Sequence, residues 1–461
     1  MNQSEKDTVY YLEKAPVPKA IAHMAIPMIL GMVVNMIYNI IDAFFIGQLN
    51  NTAMLAAITL ALPFTAILMG IGQIFGIGGS TYISRLLGEK DEDGAKKASS
   101  VNFYFSLLSG LVFMLICLPF LSPVLQVLGA KGETLQYTKD FILAYALGSP
   151  FVIANFTLAE TVRAEGASTE SMVGMILSVA VNIILDPFFI FLLRMDVLGA
   201  SIATVIGNVC AALYYVWYLK EKSKAQSVSI KDFKPTGEML SNIFKVGISA
   251  FLLNIFLVVS SLMFNNYAMM YGDNVIAAFG VANRVVQISD FIGMGLYTGI
   301  VPLIAFAYSA GDQKRLGQIL KTTVLYLVSI TLGIAVVLFL FRQQILGIFS
   351  MDTEVIKIGV KILTALLVST LFAGFGGLFT SMFQSFGKGI QSNIMSAARG
   401  VALIPIIILG NMLFELNGVI WALTISELCA CIVGLLLWMG SKKGIMAVTL
   451  EDRKNLALEN L

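Results

Sequence analysis

The feature that most restricts this chain is the recurrence of apolar runs of roughly 20 residues, the length an α-helix needs to cross a bilayer core, with short polar gaps between them. In hydrocarbon every backbone N–H and C=O must find its partner inside the segment, so such runs become helices. Composition agrees: 57% of the 461 residues are hydrophobic and 13% charged, against about 25% charged in an ordinary soluble domain. Twelve spans are expected, at 20–47, 55–84, 101–128, 141–161, 172–193, 198–218, 243–270, 275–308, 324–341, 362–383, 394–413 and 419–439. The fold class is therefore an all-α membrane protein.

With a net charge of +2, no global field favours nucleic acid as a partner. The placement of charge is more telling. Arg85, Lys90, Lys96 and Lys97 follow span 2, Lys220, Lys222, Lys224, Lys231 and Lys234 follow span 6, and Lys314, Arg315 and Lys321 follow span 8. The gaps after spans 1, 7 and 11 hold no Lys or Arg, so the positive-inside rule puts both termini in the cytoplasm. Residues 1–19 carry Glu5, Asp7 and Glu13 instead of the apolar core of a signal peptide, and span 1 is expected to target the chain to the membrane. Cys117, Cys210, Cys429 and Cys431 lie within apolar runs and read as packing residues. His23, the sole histidine, reads as a solvated interface residue.

The chain repeats at half length. Ile21 to Met28 resembles Ile243 to Ala250, Ala56-Ala57 matches Ala277-Ala278, and Gly199 to Cys210 matches Gly418 to Cys429. Two copies in the same orientation predict two pseudo-symmetric six-helix bundles around an axis along the membrane normal, with a cavity between them. The expected division is a cytoplasmic segment at 1–19, an N-lobe at 20–219, a cytoplasmic linker at 220–242, a C-lobe at 243–440 and a cytoplasmic tail at 441–461.

An ionisable side chain within a span costs about 2.5–3.5 kcal/mol on insertion scales, which makes each one a functional candidate. Asn35, Tyr38, Asn39 and Asp42 share one face of span 1, and Ser178, Asn182 and Asp186 share one face of span 5. Both spans run outward and both acids lie near the outer end, so the carboxylates share a depth. Two acids facing each other in a poorly hydrated bundle cannot both ionise cheaply. Either one holds a proton, or a sodium ion bound by Asp42, Asn182 and Asp186 neutralises them. The alternative is that both snorkel to the interface. Pro27 interrupts the hydrogen bonding of span 1 and provides either a static kink or a moving one.

The second half is polar in another way. Asn283, Gln287 and Asp290 lie on one face of span 8 with Arg284 alongside, Asn254 lies in span 7, Arg399 in span 11 and Glu427 in span 12. Asp290 either pairs with Arg284 or Arg399, or lines a substrate path. Glu160 either pairs with Arg163 or attracts a cationic ligand. With Asn155 and Met294 these residues make up the candidate substrate path. The 22 Met and 31 Phe residues offer polarisable surface for aromatic cations. No HExxH, GxSxG or Asp-rich metal motif suggests a membrane-embedded enzyme.

The stretch Asn39 to Gly47, with Pro27 fifteen residues before Asp42, resembles helix 1 of the multidrug and toxic compound extrusion (MATE) family, as Asn182 to Pro187 resembles its helix 5. Gly79 to Gly88 and Val301 to Ala305 are similar to the MepA group of the DinF-like branch. The resemblance runs from about Tyr11 to Lys443. It implies a V-shaped pair of lobes that exports organic cations in exchange for protons or sodium, working without a cofactor, as a functional monomer among membrane lipids. It further implies that Asp42, Asn182 and Asp186 form the ion site and that Pro27 bends. The resemblance also implies a second-lobe sodium site in members with a helix 7 glutamate; the closest polar position here is Asn254, not an acid, which counts against such a site. A flippase of the same superfamily is the alternative; it would want a strongly basic central cavity, and the spans hold few Lys and Arg residues.

Overall fold

A computed structural model describes residues 9–48, 51–349 and 352–447, less the side chains of Asn39 and Ala43. The role expected of Asn39 thus lies outside the described residues. In chain order the helices are α1 (Val9–Glu13), α2 (Val17–Gly47), α3 (Thr52–Gly88), α4 (Glu92–Cys117), α5 (Leu121–Val127), α6 (Glu133–Ala164), α7 (Ser168–Pro187), α8 (Asp196–Glu221), α9 (Gly237–Met269), α10 (Asp273–Gly299), α11 (Val301–Ser309), α12 (Gln313–Leu340), α13 (Arg342–Phe349), α14 (Thr353–Ser385), α15 (Gly389–Val401) and α16 (Leu403–Ala447). Among the described residues, eleven helical stretches are long and apolar enough to cross a bilayer. The last of them, Gly389–Ala447, makes two passes: Glu415 leaves helical geometry (φ 50°, ψ −133°) and the chain folds back so tightly that Gly410 and Gly418 pack backbone to backbone.

The helices run further than the apolar runs suggest, because capped polar turns extend them beyond the bilayer. Asn51 Oδ1 accepts from the Ala53 N–H at 2.9 Å to open α3, and Asp91 Oδ1 accepts from the Gly94 N–H at 2.8 Å to open α4. Asp312 opens α12 in the same manner. The expected single span at 101–128 is two helices: α4 stops at Cys117, before Pro119, and α5 resumes at Leu121. Proline lacks a donor and disfavours helical geometry in the residue before it, which accounts for the break. Pro27, by contrast, sits inside an uninterrupted α2.

Within the first half, α6 is the hub, packing on α3, α4 and α8, while α7 packs between α2 and α8. Within the second, α14 packs on α10, α12 and α16, and α9 on α15. The halves meet through α3 against α9 and α2 against α10. These contacts are backbone-close. A Cβ at Gly78 would lie 2.2 Å from the Ile243 carbonyl oxygen, and one at Gly247 would lie 2.1 Å from that of Ile74. Gly295 meets Ile29 and Gly299 meets Met24 in the same way. Ser309 Oγ donates to the Arg85 carbonyl at 2.7 Å, and the Arg315 guanidinium donates to the carbonyls of Tyr11, Leu12 and Ala15 at 2.8–3.0 Å. All of these lie at the end of the molecule that carries the start of α2.

The N-terminal segment seals the same end. His23 is not a solvated interface residue, as the sequence suggested. Its ring stacks on Tyr11 with centroids 3.6 Å apart, and Nε2 sits 3.1 Å from the Gly166 carbonyl oxygen.

If glycine is what lets the halves meet, Gly78→Val must push them apart. The expected cost is about 1–3 kcal/mol, as for other overpacked sites. It should appear as a lower melting temperature of the purified protein, whereas Gly317→Ala, whose Cβ meets nothing within 4 Å, should leave the melting temperature unchanged or slightly raised, since alanine favours the helix.

Candidate functional site

Four helices of the first half converge on one polar cluster. Tyr38 and Asp42 come from α2, Asn182 and Asp186 from α7, Thr204 from α8 and Tyr145 from α6. The spacing of four residues on α2 and α7 aims each pair to one side, and the packing of α7 between α2 and α8 turns those sides toward each other. Asp186 is fully buried and Asn182 nearly so. Asp42 is half-buried. The two carboxylates lie within electrostatic reach of each other, and both act on the two tyrosines. Asp186, with no exposed surface, does not reach out to an interface.

The Asn182 amide is satisfied at both ends when its nitrogen faces the acid. It then donates to Asp186 Oδ2 at 2.7 Å, and its oxygen accepts from the Thr204 hydroxyl at 2.9 Å and the Thr204 N–H at 3.0 Å. The Tyr38 hydroxyl lies 3.4 Å from Thr204 Oγ1. Asp186 Oδ1 is buried and has no hydrogen-bond partner among the described residues. A buried acceptor in that condition costs roughly 1–3 kcal/mol, and more if it is charged. A proton or a small cation would relieve that cost. Asn35 is half-buried on the same helix, one turn before Tyr38.

The remaining candidates separate into paired and open residues. Glu160 forms an ion pair with Arg163, whose Nη1 also contacts Met28 Sδ at 2.5 Å. Asn155 donates to Asn208 Oδ1 at 2.7 Å, and Asn254 donates to Gln73 Oε1 at 2.8 Å. These residues serve packing in this conformation more than they present themselves to a ligand. Asp290 forms no ion pair with Arg284 or Arg399 among the described residues. Arg399 Nε pairs with Glu427 instead, at 3.4 Å, over the small surface of Gly376. Asn283, Arg284, Gln287 and Asp290 are all exposed, with Met294 half-buried one turn beyond. A carboxylate exposed at mid-span is costly against lipid, which keeps this stripe a candidate for lining a substrate path.

Thr204 and Tyr145 were missed in the sequence. Thr204 precedes Asn208 by four residues, a short polar stripe on span 6 that signals a polar neighbour. Tyr145 follows Phe141 in an aromatic run and gives no such sign.

Twelve passes, two like bundles meeting at one end and a buried acid–amide cluster in one of them define a multi-pass membrane transporter built on alternating access. The family model described as MatE matches residues 27–188 and 249–409, once in each half. The multidrug export protein MepA of Staphylococcus aureus (strain MSSA476) is 41% identical over 434 residues, 94% of this chain and 96% of that one. That of Staphylococcus haemolyticus is 40% identical over 92% and 94% of the two chains. A solved structure described as the outward-facing conformation of a multidrug resistance MATE family transporter superposes with a TM-score of 0.88 at 26% identity, covering 95% of this chain and 99% of that one. The chain belongs to the MATE family, in its MepA group.

Thr204→Val keeps the volume and removes the hydroxyl that holds Asn182 against Asp186. Export of a fluorescent cation from cells is expected to fall several-fold at equal membrane abundance, in line with about 1 kcal/mol for one lost hydrogen bond, the Asn182 oxygen keeping the Thr204 N–H. Thr59→Val, an exposed threonine bonded only to its own helix through the Leu55 carbonyl, should export normally.

Proposed function

We propose that this protein exports organic cations from the cytoplasm in exchange for protons or sodium, with Asp42, Asn182 and Asp186 as the coupling site. The observation that carries this reading is the fully buried Asp186 with an unpartnered carboxylate oxygen, set beside a second acid and an amide. Such a pair binds a cation only by changing the charge of the bundle interior, and that change can favour one packing over another. Its relatives' function, multidrug export, fits a cleft with polar and polarisable walls. A flippase finds less support, since Arg399 is already neutralised by Glu427 and Arg284 is the one other arginine within the expected spans of the second half, too little for a strongly basic cavity.

In this scheme the sealed end faces the cytoplasm, where the Lys- and Arg-rich gaps belong, and the cleft opens outward. The exposed Asp290, not tied up in an ion pair, attracts a cationic drug. A proton or sodium ion entering from outside takes Asp186 Oδ1 and the Asp42 carboxylate. Neutralised, α2 repacks about Pro27, where one backbone hydrogen bond is already missing, and the drug is released. Rocking of the halves then exposes the ion to the cytoplasm, where it leaves and the carboxylates recover their charge. Coupling requires a different ion affinity in the two states, which bending α2 supplies by moving Asp42 relative to Asp186.

Asp42→Asn removes the chargeable partner while keeping the shape. Cells expressing it are expected to lose drug resistance with unchanged membrane abundance; full resistance would refute the coupling role. Proteoliposomes loaded with a fluorescent cation and driven first by a pH gradient, then by a sodium gradient, identify the ion. Transport that ignores both gradients would sink the antiport reading.

A further inference from the structure

The geometry points to a binding site for the phosphate-bearing headgroup of an anionic lipid, in a basic pocket beneath the linker that joins the two halves. The pocket holds about 770 Å³ and lies where Lys96 and Tyr104 of α4 face Lys220 of α8, with linker residues including Lys224 and Asp232 closing it. Helix α6 packs behind both walls.

The linker is fixed in place. Ser99 Oγ bonds to both the carbonyl and the N–H of Ser227 at 3.0 and 2.9 Å, and Ser100 Oγ donates to the Ser229 carbonyl at 2.7 Å. Tyr104 donates to the Val228 carbonyl at 3.2 Å, and the buried Gln226 donates to the Thr161 carbonyl of α6 at 2.8 Å. The pocket wall is thus built before any ligand arrives, and little ordering entropy remains to be lost on binding.

Its charge is unbalanced. Lys96, Lys220 and Lys224 form no ion pair among the described residues, whereas neighbouring Lys97 is taken by Asp93. The one carboxylate in the lining, Asp232, accepts from Ser227 Oγ at 2.5 Å.

Both walls continue into surface suited to acyl chains. On α8, Leu213, Trp217 and Lys220 follow one face and are all exposed; on α4, Tyr104 leads to exposed Leu108, Leu111 and Leu115 at helical spacing. Each stripe is apolar in the span and basic or polar at its end. Trp217 marks the boundary, with Lys222 Nζ 5.9 Å from its ring centroid. Free phosphate would use the lysines alone, whereas a phospholipid uses the lysines and both stripes. A headgroup held there ties the linker to one leaflet while the two halves move.

The test is native mass spectrometry of the full chain in detergent, titrated with phosphatidylglycerol, with phosphatidylcholine, and with phosphatidylglycerol plus millimolar inorganic phosphate. The wild type should bind one phosphatidylglycerol in preference to phosphatidylcholine and keep it in the presence of phosphate. The K96Q/K220Q/K224Q variant should bind about tenfold or more weakly, the order expected when three lysines are removed from an anionic surface. Lys220→Glu alone should abolish the preference. A control with equal charge loss on the other half, K314Q/K321Q/K442Q, should stay within about twofold of the wild type. Undiminished binding by the triple variant, or an equal loss in the control, would overturn the site. Displacement by inorganic phosphate would assign it to a free anion and overturn the lipid.

Discussion

The structure depends on how a carboxylate can be held inside a bundle that water barely reaches. Asp186 has no exposure, one oxygen bonded to the Asn182 amide and the other to nothing among the described residues. A charge so placed is expensive, and a lysine or arginine beside it would neutralise it permanently while adding a desolvation cost of its own. The protein instead sets a second acid nearby, which raises the cost further unless a proton or small cation offsets it. Asn182, Thr204 and Tyr38 hold the geometry without supplying charge, so the electrostatic debt stays open to a passing cation.

The seal between the halves follows an opposite logic. Gly78, Gly247, Gly295 and Gly299 let backbone approach backbone with almost no side chain between. In a membrane there is no hydrophobic gain in bringing two apolar helices together, and close van der Waals contact at small residues supplies the adhesion. Contacts of this kind separate without stranding buried charges. Arg315, capping three carbonyls of the N-terminal segment, and His23, stacked on Tyr11, add polar stitches at the rim, where water can replace them when they part. A seal of that character suits a protein that must open the same end repeatedly.

Much of this was legible in the sequence. The apolar period announced twelve spans, and the polar faces of α2 and α7 announced the cluster, because lipid leaves so few reasons for Asp or Asn to lie there. Helix ends were misjudged where polar turns extend the helices, as at Glu92, capped by Asp91, and at Glu133, and where Pro119 divides one apolar run into two helices. Partner choice was not legible. Asp290, Arg284, Arg399 and Glu427 lie on three different helices, and which cation meets which anion depends on small translations and on gaps such as Gly376 that periodicity does not encode. Thr204 escaped for a related reason: a hydroxyl is cheap enough in lipid that its presence in a span is weak evidence of a task.

The two halves descend from one pattern yet have divided its chemistry. In the first, Asp186 is buried and Asp42 half-buried, with the neutral side chains of Asn182, Thr204 and Tyr38 around them. In the second, the half-buried charges Arg399 and Glu427 cancel, and Asp290 is left exposed. The two polar sites thus lie in different halves, joined chiefly through the packing of α2 against α10 and α3 against α9, and any influence of one on the other must pass through those helix contacts. Gly78, Gly247, Gly295 and Gly299 bring those contacts backbone to backbone, so a shift of one helix is handed directly to its partner in the other half.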